Sequence, residues 1–388
     1  MKKSGVIFFF CAVFCLGIFV AHLFYVGNAI YGDGRYYYAT ARSLVIDGDL
    51  NFVNEYAFLK IKDYQLPTGY LANKYPPGSS FVWILPLILV HQITLTTDGY
   101  SFPYQIAVGF TTILFSIFGI ALLNRTLNLF FERKISLLAS LTILFSTNLL
   151  FYSSFDVINS HAISFALATL LLYLLFKFKD NNYQKWIFSG LTGGFLILTR
   201  TQDLLLLILP LFLLYHSKQN LFRKLKSLVL FIMGTSLTFF PQLVIWKIIY
   251  GSYFLSPYFN RIESFNFLNP RIFGVLFNAD TGLILWTPFI IGGFIGLFFL
   301  KGKLKYLRNI FIAMIFLQFY LIASWSSWDQ GASFGIRMLT SCLPLLAFGF
   351  AQLFKIYLHK YSLRSLYYFL GFSSLLNFSL IILYLVKH

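Results

Sequence analysis

Residues 6–28, VIFFFCAVFCLGIFVAHLFYVGN, form an apolar run that contains no Asp, Glu, Lys or Arg. About 20 such residues in one helix are enough to cross roughly 30 Å of hydrocarbon. Helices and closed barrels are the structures that satisfy their backbone polar groups inside lipid. The chain therefore reads as an all-α polytopic membrane protein with about eleven transmembrane helices, the others at 103–124, 135–152, 161–177, 186–200, 203–216, 227–249, 281–300, 309–324, 338–356 and 365–386.

The composition predicts one integral membrane domain over residues 1–388. Of the 388 residues, 58% are hydrophobic and 11% are charged, and no polar stretch is long enough to fold as a separate soluble domain. The start, Met1–Ala21, has the charged beginning and apolar body of a signal peptide. Because the apolar run continues past it without an Ala-x-Ala-like cleavage site, we expect a retained first helix.

The distribution of charge predicts the orientation in the membrane. Most Lys and Arg residues fall in short segments between the predicted spans, where Glu132 and Asp180 are the only acids, and such segments face the cytoplasm. The net charge of +17 therefore reflects topology and contact with anionic lipids rather than nucleic-acid binding. We expect an acidic, functional external face, the periplasmic one of a bacterial inner membrane. The basic segments are 2–3, 125–134, 177–185, 218–226, 301–308 and 355–364.

Residues 79–95, SSFVWILPLILVHQITL, are apolar enough to span but would break this alternation of sides. Between external Asp33 and cytoplasmic Arg125 a single crossing is allowed, and 103–124 is the longer candidate, without an interior proline. The segment 79–95 is shorter and contains Pro86 and His91. It is therefore predicted to be a juxtamembrane or re-entrant helix.

The large external loop, residues 31–80, contains the densest group of acids. Its first part, GDGRYYYATARSLVIDGDLNF at 32–52, includes Asp33, Asp47 and Asp49. Small and apolar residues recur there at spacings of three and four until Gly48, which predicts a short helix. Asp33 lies just ahead of it, either as an N-cap or as a base at the mouth of a lipid-facing pocket.

The same residues resemble the GT-C superfamily of membrane-embedded glycosyltransferases that use polyprenyl-phosphate sugars, which includes the lipid A aminoarabinose transferases and the protein O-mannosyltransferases. The matching pattern is an acid after the first helix, then Tyr, Arg and a closing Gly-Asp: Asp33, Tyr37, Arg42, Gly48 and Asp49. The resemblance implies that Asp33 is the general base for the acceptor hydroxyl. Many relatives have a second acid directly after it, where this chain has glycine.

Further stretches carry the resemblance from about residue 30 to residue 345. In NKYPPGSSFVWILP (73–86) it implies that Lys74 holds the carrier phosphate; a lysine snorkelling to the interface is the alternative. The other stretches are FDVINSHAISF (155–165), GGFLILTRTQD (193–203), ADTGLILWTP (279–288) and WSSWDQGASFGIRML (325–339).

The chemistry explains why these residue types are needed. Lys74, Arg200 and Arg337 lie beside external helix ends, where fixed cations can stabilise a phosphate diester and the departing phosphate; for the two arginines, an interfacial anchor is the alternative. One carboxylate suffices to assist an acceptor hydroxyl in a single inverting displacement.

Four other residues have secondary assignments. Asp156 could orient the donor sugar or pair with an arginine, and His161 reads more simply as a structural hydrogen-bonding residue than as an acid or ligand. Asp47 and Asp49 read as solvated turn residues. No paired histidine motif is present, and a divalent cation is left open. Trp325 and Trp328 suit an interfacial belt or a sugar-stacking surface equally.

The sequence therefore favours an inverting glycosyltransferase that takes a sugar from a polyprenyl-phosphate donor and passes it to a glycan, lipid or protein acceptor. A transporter or flippase for lipid-linked saccharides is the main alternative, and a noncatalytic assembly subunit is another. A transporter would place ionisable residues at mid-helix and show related halves, whereas this chain concentrates its acids at one face.

Overall fold

The computed structural model describes residues 2–254, 257, 263–331 and 333–388; Met1 of the predicted first helix and Ala332 of the 325–339 motif lie outside this range. Within it the fold is all-α, and the predicted fold class is confirmed. The helices are α1 (Lys2–Val26), α2 (Gly34–Arg42), α3 (Val53–Phe58), α4 (Gly78–Ile93), α5 (Phe102–Leu127), α6 (Arg133–Phe145), α7 (Leu149–Ser154), α8 (His161–Lys177), α9 (Tyr183–Thr199), α10 (Ile208–His216), α11 (Leu221–Tyr250), α12 (Ile272–Phe277), α13 (Leu283–Trp286), α14 (Ile290–Phe298), α15 (Lys305–Ser324), α16 (Leu343–Leu358) and α17 (Leu363–Lys387).

Six helices of the described residues are long and apolar enough to cross a membrane: Ser4–Val26, Phe102–Leu127, Leu221–Tyr250, Lys305–Ser324, Arg337–Leu358 and Leu363–Lys387. Each coincides with a predicted span. Gly78–Ile93, His161–Lys177 and Thr201–His216 are apolar but shorter. The predicted spans at 135–152 and 281–300 are each divided into two short helices, α6 with α7 and α13 with α14.

The break between α6 and α7 exposes backbone carbonyls that a continuous helix would have satisfied. The side-chain amide of Asn377, on α17, donates to the carbonyl oxygens of Phe145 and Thr147 at 2.9 and 3.0 Å. A break at membrane depth is tolerated where neighbouring side chains replace the lost hydrogen bonds. One asparagine on the last helix therefore stabilises a bend in the middle of the chain.

Close packing of small residues joins α9 to α11. A Cβ atom added at Gly190 would lie 2.2 Å from the carbonyl oxygen of Phe231, and one at Gly234 would lie 2.6 Å from that of Ile187. Glycines allow this approach because membrane helices associate largely through packing. The pair holds the middle of α9 against α11, and α9 ends at Thr199, directly before Arg200.

The helix predicted to be juxtamembrane, α4, packs antiparallel against the first half of α5. Trp83 donates to Thr112 at 2.9 Å, and His91 lies 2.8 Å from the Tyr104 hydroxyl. Near the start of α4, Ser80 donates to a carbonyl of α2 at 2.7 Å, and the loop after α4 accepts a hydrogen bond from the last residue of α2. The start of α4 and the loop after it thus contact the same helix, α2. The position of α4 in a bilayer stays a prediction.

Candidate active site

Asp33 lies at the centre of a polar cluster where α2 meets the other helices. Its carboxylate accepts from the Arg337 guanidinium at 2.6 Å and from the Tyr75 hydroxyl at 2.7 Å. Asp33 occupies the N-cap position of α2, as expected, but its side chain makes no capping hydrogen bond. With the Asp33 side chain 26% exposed and that of Arg337 13% exposed, the pair is accessible from one side and screened from bulk water elsewhere.

Gly34 brings the start of α2 against the loop between α7 and α8. A Cβ atom at this position would lie 2.2 Å from the carbonyl oxygen of Ile158, much closer than any real contact. The second acid that many relatives have here therefore has no room in this chain. The absence of a side chain places Asp33 next to the loop that contains Asp156.

The turn before Arg337 is held in an unusual backbone conformation. Gly335 has φ of +62° and Ile336 has φ of +52°, and a β-branched residue in this left-handed region is strained. The Asn148 side chain donates to the Gly335 carbonyl at 2.9 Å, and the Tyr152 hydroxyl donates to the Phe334 carbonyl at 3.2 Å. Contacts from α7 and the residue before it thus stabilise the turn that orients Arg337.

Arg200 and Tyr37 meet through Ser160. Arg200 donates to the Ser160 hydroxyl at 2.9 Å, and that hydroxyl donates to the Tyr37 oxygen at 3.1 Å. Burial raises the pKa of the Tyr37 phenol, although the nearby Arg200 and Arg337 guanidinium groups oppose that rise. Tyr37 therefore stays protonated and lies between the two arginines and Asp33. The structure brings together Asp33, Tyr37, Arg200 and Arg337, all of which the sequence had singled out.

His161 orients Arg200. Its Nδ1 atom lies 2.9 Å from the guanidinium, and because a guanidinium can only donate, Nδ1 is the acceptor and the ring proton is on Nε2. The ring is buried and packs against Tyr152 at 4.4 Å between centroids. These contacts fit the structural role predicted for His161.

Asp156 is a second buried carboxyl group beside the cluster. Burial raises the pKa of the Asp156 carboxyl to about 7, although the nearby Arg337 guanidinium and a hydrogen bond from Asn159 at 3.1 Å oppose that rise. Its Oδ1 atom has no hydrogen-bond partner among the described residues. Ion pairing with an arginine is not observed within the described part of the chain, so its candidate role is to receive a hydrogen bond from a bound group.

Lys74 extends the cluster on the other side of Tyr75. Its Nζ atom lies 5.4 Å from the Tyr75 ring centroid and forms an ion pair with Glu263. Glu263 was not predicted, because it lies 189 residues away in a segment without a recognisable motif. A phosphate that binds Lys74 must therefore compete with a carboxylate.

Arg42 and Asp49 lie at the far end of α2, roughly 13 Å along a nine-residue helix. Arg42 pairs with Asp47 and Glu55, each at 2.6 Å, and Asp49 accepts from Ser43 at 2.8 Å. Asp47 is exposed, in agreement with its interpretation as a solvated residue, but its carboxylate also forms an ion pair. These residues support the loop and do not join the Asp33 cluster.

Asp203 is a buried acid that sequence reasoning quoted but did not select. It accepts from Ser164 at 2.5 Å and from Ser341 at 2.7 Å, which ties α8 to the turn after Arg337. An acid inside an apolar run was the signal in the sequence that could have identified Asp203.

No group of three or more His, Cys, Asp or Glu side chains that could hold a metal ion comes together anywhere in the described ranges.

The fold that carries this cluster is similar to that of a solved structure. A crystal structure of ArnT from Cupriavidus metallidurans in the apo state matches with a TM-score of 0.59 and 14% sequence identity, over 94% of this chain. The chain therefore shares its fold with that structure. It spans 62% of the length of the ArnT chain that it matches.

One family model also matches this chain, that of the dolichyl-phosphate-mannose-protein mannosyltransferases, over residues 93–246. No curated protein matches the chain. The matched region includes Asp156, His161 and Arg200 but neither Asp33 nor Arg337. One part of the cluster therefore lies in the region that is similar to this family, and the other part lies outside that region.

Proposed function

We propose that this protein is an inverting, membrane-embedded glycosyltransferase that moves a sugar from a polyprenyl-phosphate donor to a glycan, lipid or protein acceptor. The observation that carries the proposal is the contact between Asp33 and Arg337. An acid able to assist a hydroxyl is held against a cation able to bind phosphate, and Arg200 and Lys74 lie in the same cluster.

In this proposal the cations bind the donor. A phosphodiester contacts Arg337, Arg200 and Lys74, and its charge increases as the bond between the anomeric carbon and the phosphate oxygen breaks. Preorganised cations stabilise that developing charge without reorganising at the moment of reaction. Tyr37 and the Tyr75 hydroxyl supply uncharged hydrogen-bonding groups between them.

Asp33 is the proposed base. It removes the proton of the acceptor hydroxyl as the hydroxyl oxygen attacks the anomeric carbon from the side opposite the leaving phosphate, which inverts the configuration at that carbon. The ion pair to Arg337 and the hydrogen bond from Tyr75 fix the carboxylate in position before substrate arrives.

The proposed site faces the outside of the cell, the periplasm if the source is bacterial. Support comes from the positive-inside rule, since the basic segments lie between spans on the opposite side from the Asp33 loop. A cysteine introduced at position 98 into a chain lacking Cys11, Cys15 and Cys342 tests the part of this topology that concerns α4. Labelling from outside is expected, and labelling from the cytoplasm would show that α4 spans the membrane.

The direct test compares wild type with Asp33→Asn in lipid nanodiscs, using a panel of polyprenyl-phosphate sugars and cell-envelope extract as acceptor. The matched control is Asp329→Asn, which removes an exposed acid in the loop before Arg337. We expect polyprenyl phosphate to be released by wild type and by the control, and the Asp33→Asn rate to fall by roughly 100-fold or more.

Folded protein that binds polyprenyl lipid but turns over no donor would overturn the proposal in favour of a transporter or an assembly subunit. Release that is equal in wild type and Asp33→Asn would retain the donor class but remove Asp33 as the base.

A further inference from the structure

A cavity of about 210 Å³ lies where the segment 263–271 meets the end of α15. None of its lining residues belongs to the Asp33 cluster. Its volume equals that of about seven water molecules in the liquid, which is room for one sugar ring. The lining includes Ser264, Asn269, Arg271, Ser324, Trp325 and Trp328.

Backbone hydrogen bonds fix the walls of this cavity. The amide of Asn266 donates to the Ser324 carbonyl at 2.7 Å, the amide of Arg271 donates to the Ala323 carbonyl at 2.7 Å, and the amide of Ser326 donates to the Ser264 carbonyl at 2.8 Å. Phe265 and Trp325 form an antiparallel bridge at the same place. Because these hydrogen bonds already order the walls of the cavity, a ligand does not have to order them on binding. The free-energy cost of binding is therefore lower.

The Trp328 indole packs closely against α12. A Cβ atom added at Gly274 would lie 2.6 and 2.7 Å from atoms of the Trp328 ring, so the backbone of α12 contacts the six-membered part of the indole. A ring held in this way presents a fixed apolar surface to a ligand. Trp325 lines the cavity at the end of α15.

We propose that this cavity binds one pyranose ring of the acceptor glycan. A pyranose has an apolar face of C–H groups and a rim of hydroxyls, which match the Trp325 and Trp328 indoles and the polar Asn269 and Arg271 side chains among the lining residues. The sequence left two interpretations of Trp325 and Trp328 open, an interfacial belt and a sugar-stacking surface. The proposed subsite favours the sugar-stacking surface.

Neighbouring residues connect the cavity to the Asp33 cluster. Ser264 directly follows Glu263, the ion-pair partner of Lys74. Trp328 precedes Arg337 in one continuous segment, in which Gln330 accepts from the backbone amide of Met338 at 3.2 Å. The description of the ligand as an acceptor rests on the proposed function, whereas the binding of a pyranose does not.

The test is saturation-transfer NMR on the full chain in zwitterionic nanodiscs, with methyl pyranosides of common hexoses, pentoses and amino sugars as probes. The variants are Trp328→Ala and Asn269→Ala. The control Trp246→Ala removes a tryptophan of α11 that contacts Phe239 instead. Thermal unfolding establishes that each variant is folded.

We expect at least one methyl pyranoside to bind wild type saturably. Trp328→Ala should weaken its binding by roughly tenfold, equivalent to about 1.4 kcal/mol. Asn269→Ala should weaken it by roughly two- to tenfold, as for the loss of one hydrogen bond, and Trp246→Ala should not change it.

Saturable binding by none of the probes, or binding that neither cavity variant weakens, would overturn the subsite. Donor turnover is measured on the same samples, so the two proposals fail separately. Pyranoside binding without donor turnover would refute the proposed transferase activity but retain the sugar site. Donor turnover without pyranoside binding would retain the transferase activity but refute the sugar site.

Discussion

The Asp33 carboxylate and the Arg337 guanidinium lie 2.6 Å apart and join the segment between α1 and α2 to the turn before α16. A lysine can replace the charge of arginine but not its planar fork of donors. In the proposed reaction, Arg337 both orients the base and binds the donor phosphate, so its geometry matters as much as its charge.

Arg337→Lys should therefore lower kcat by roughly 10- to 100-fold, because one preorganised donor is lost while the charge is kept. Release of polyprenyl phosphate at saturating donor measures the effect. Arg308→Lys, which changes a half-buried arginine on α15 outside the Asp33 cluster, is the matched control and should leave kcat unchanged. Equal rates for both variants would contradict the assignment of Arg337.

Glu263→Gln should lower the donor KM by a few fold. The carboxylate pairs with Lys74 and competes with the incoming phosphate, and an amide competes less strongly because it carries no charge. Initial rates over a range of donor concentrations measure KM. Asp280→Asn removes the exposed pair with Lys387, which should be nearly neutral, and an unchanged KM in Glu263→Gln would argue against phosphate binding at Lys74.

Gly34→Ala should destabilise the protein by roughly 1–3 kcal/mol, as for other overpacked sites. The added Cβ atom would lie 2.2 Å from a backbone carbonyl oxygen, which cannot move aside as a flexible side chain does. Gly17→Ala is the control, because nothing lies within 4 Å of a Cβ atom there and alanine favours a helix. A thermal unfolding midpoint in Gly34→Ala as high as in the control would contradict the close approach.

Stability should fall between about pH 4 and pH 7 because of Asp156. Burial raises the pKa of this carboxyl from 3.8 to about 7 in the folded protein, so the folded state binds the proton more tightly than the unfolded chain. Its contribution is fully present below pH 3.8, declines as the pH rises to about 7 and is constant above that. Glu55, whose pKa burial also raises to about 7, acts in the same direction.

The measurement is the thermal unfolding midpoint of wild type and Asp156→Asn from pH 4 to pH 8. The decline should be smaller in Asp156→Asn, since the amide does not titrate, while Glu55 contributes equally to both proteins. Parallel curves for the two proteins would show that Asp156 does not titrate in this range.

Local patterns were enough to predict the helical membrane fold and the residues of the cluster. Apolar runs indicated the helices. Charged residues beside hydrophobic segments, in motifs that resemble those of polyprenyl-phosphate-sugar glycosyltransferases, indicated Asp33, Lys74, Arg200 and Arg337. Glu263 and Asp203 were missed because their roles depend on partners far along the chain, Lys74 for the first and Ser341 for the second.

The division of two predicted spans could not be predicted from hydropathy, which registers how apolar a run is but not where its hydrogen bonds go. The 135–152 run is interrupted because Asn377 satisfies the carbonyls at the break. The lack of space at Gly34 was equally hidden, since it depends on the carbonyl of Ile158.

The contact of Asn377 with the α6–α7 break also sets an order of assembly. Asn148, the last residue of that break, donates to the Gly335 carbonyl ahead of Arg337, and the break is stabilised by a helix that is synthesised after every residue of the Asp33 cluster. A ribosome-bound chain that has not yet released α17 therefore has all the catalytic candidates but lacks one of the contacts that support them. We expect the Asp33 cluster to be fully supported only after α17 has packed against the α6–α7 break.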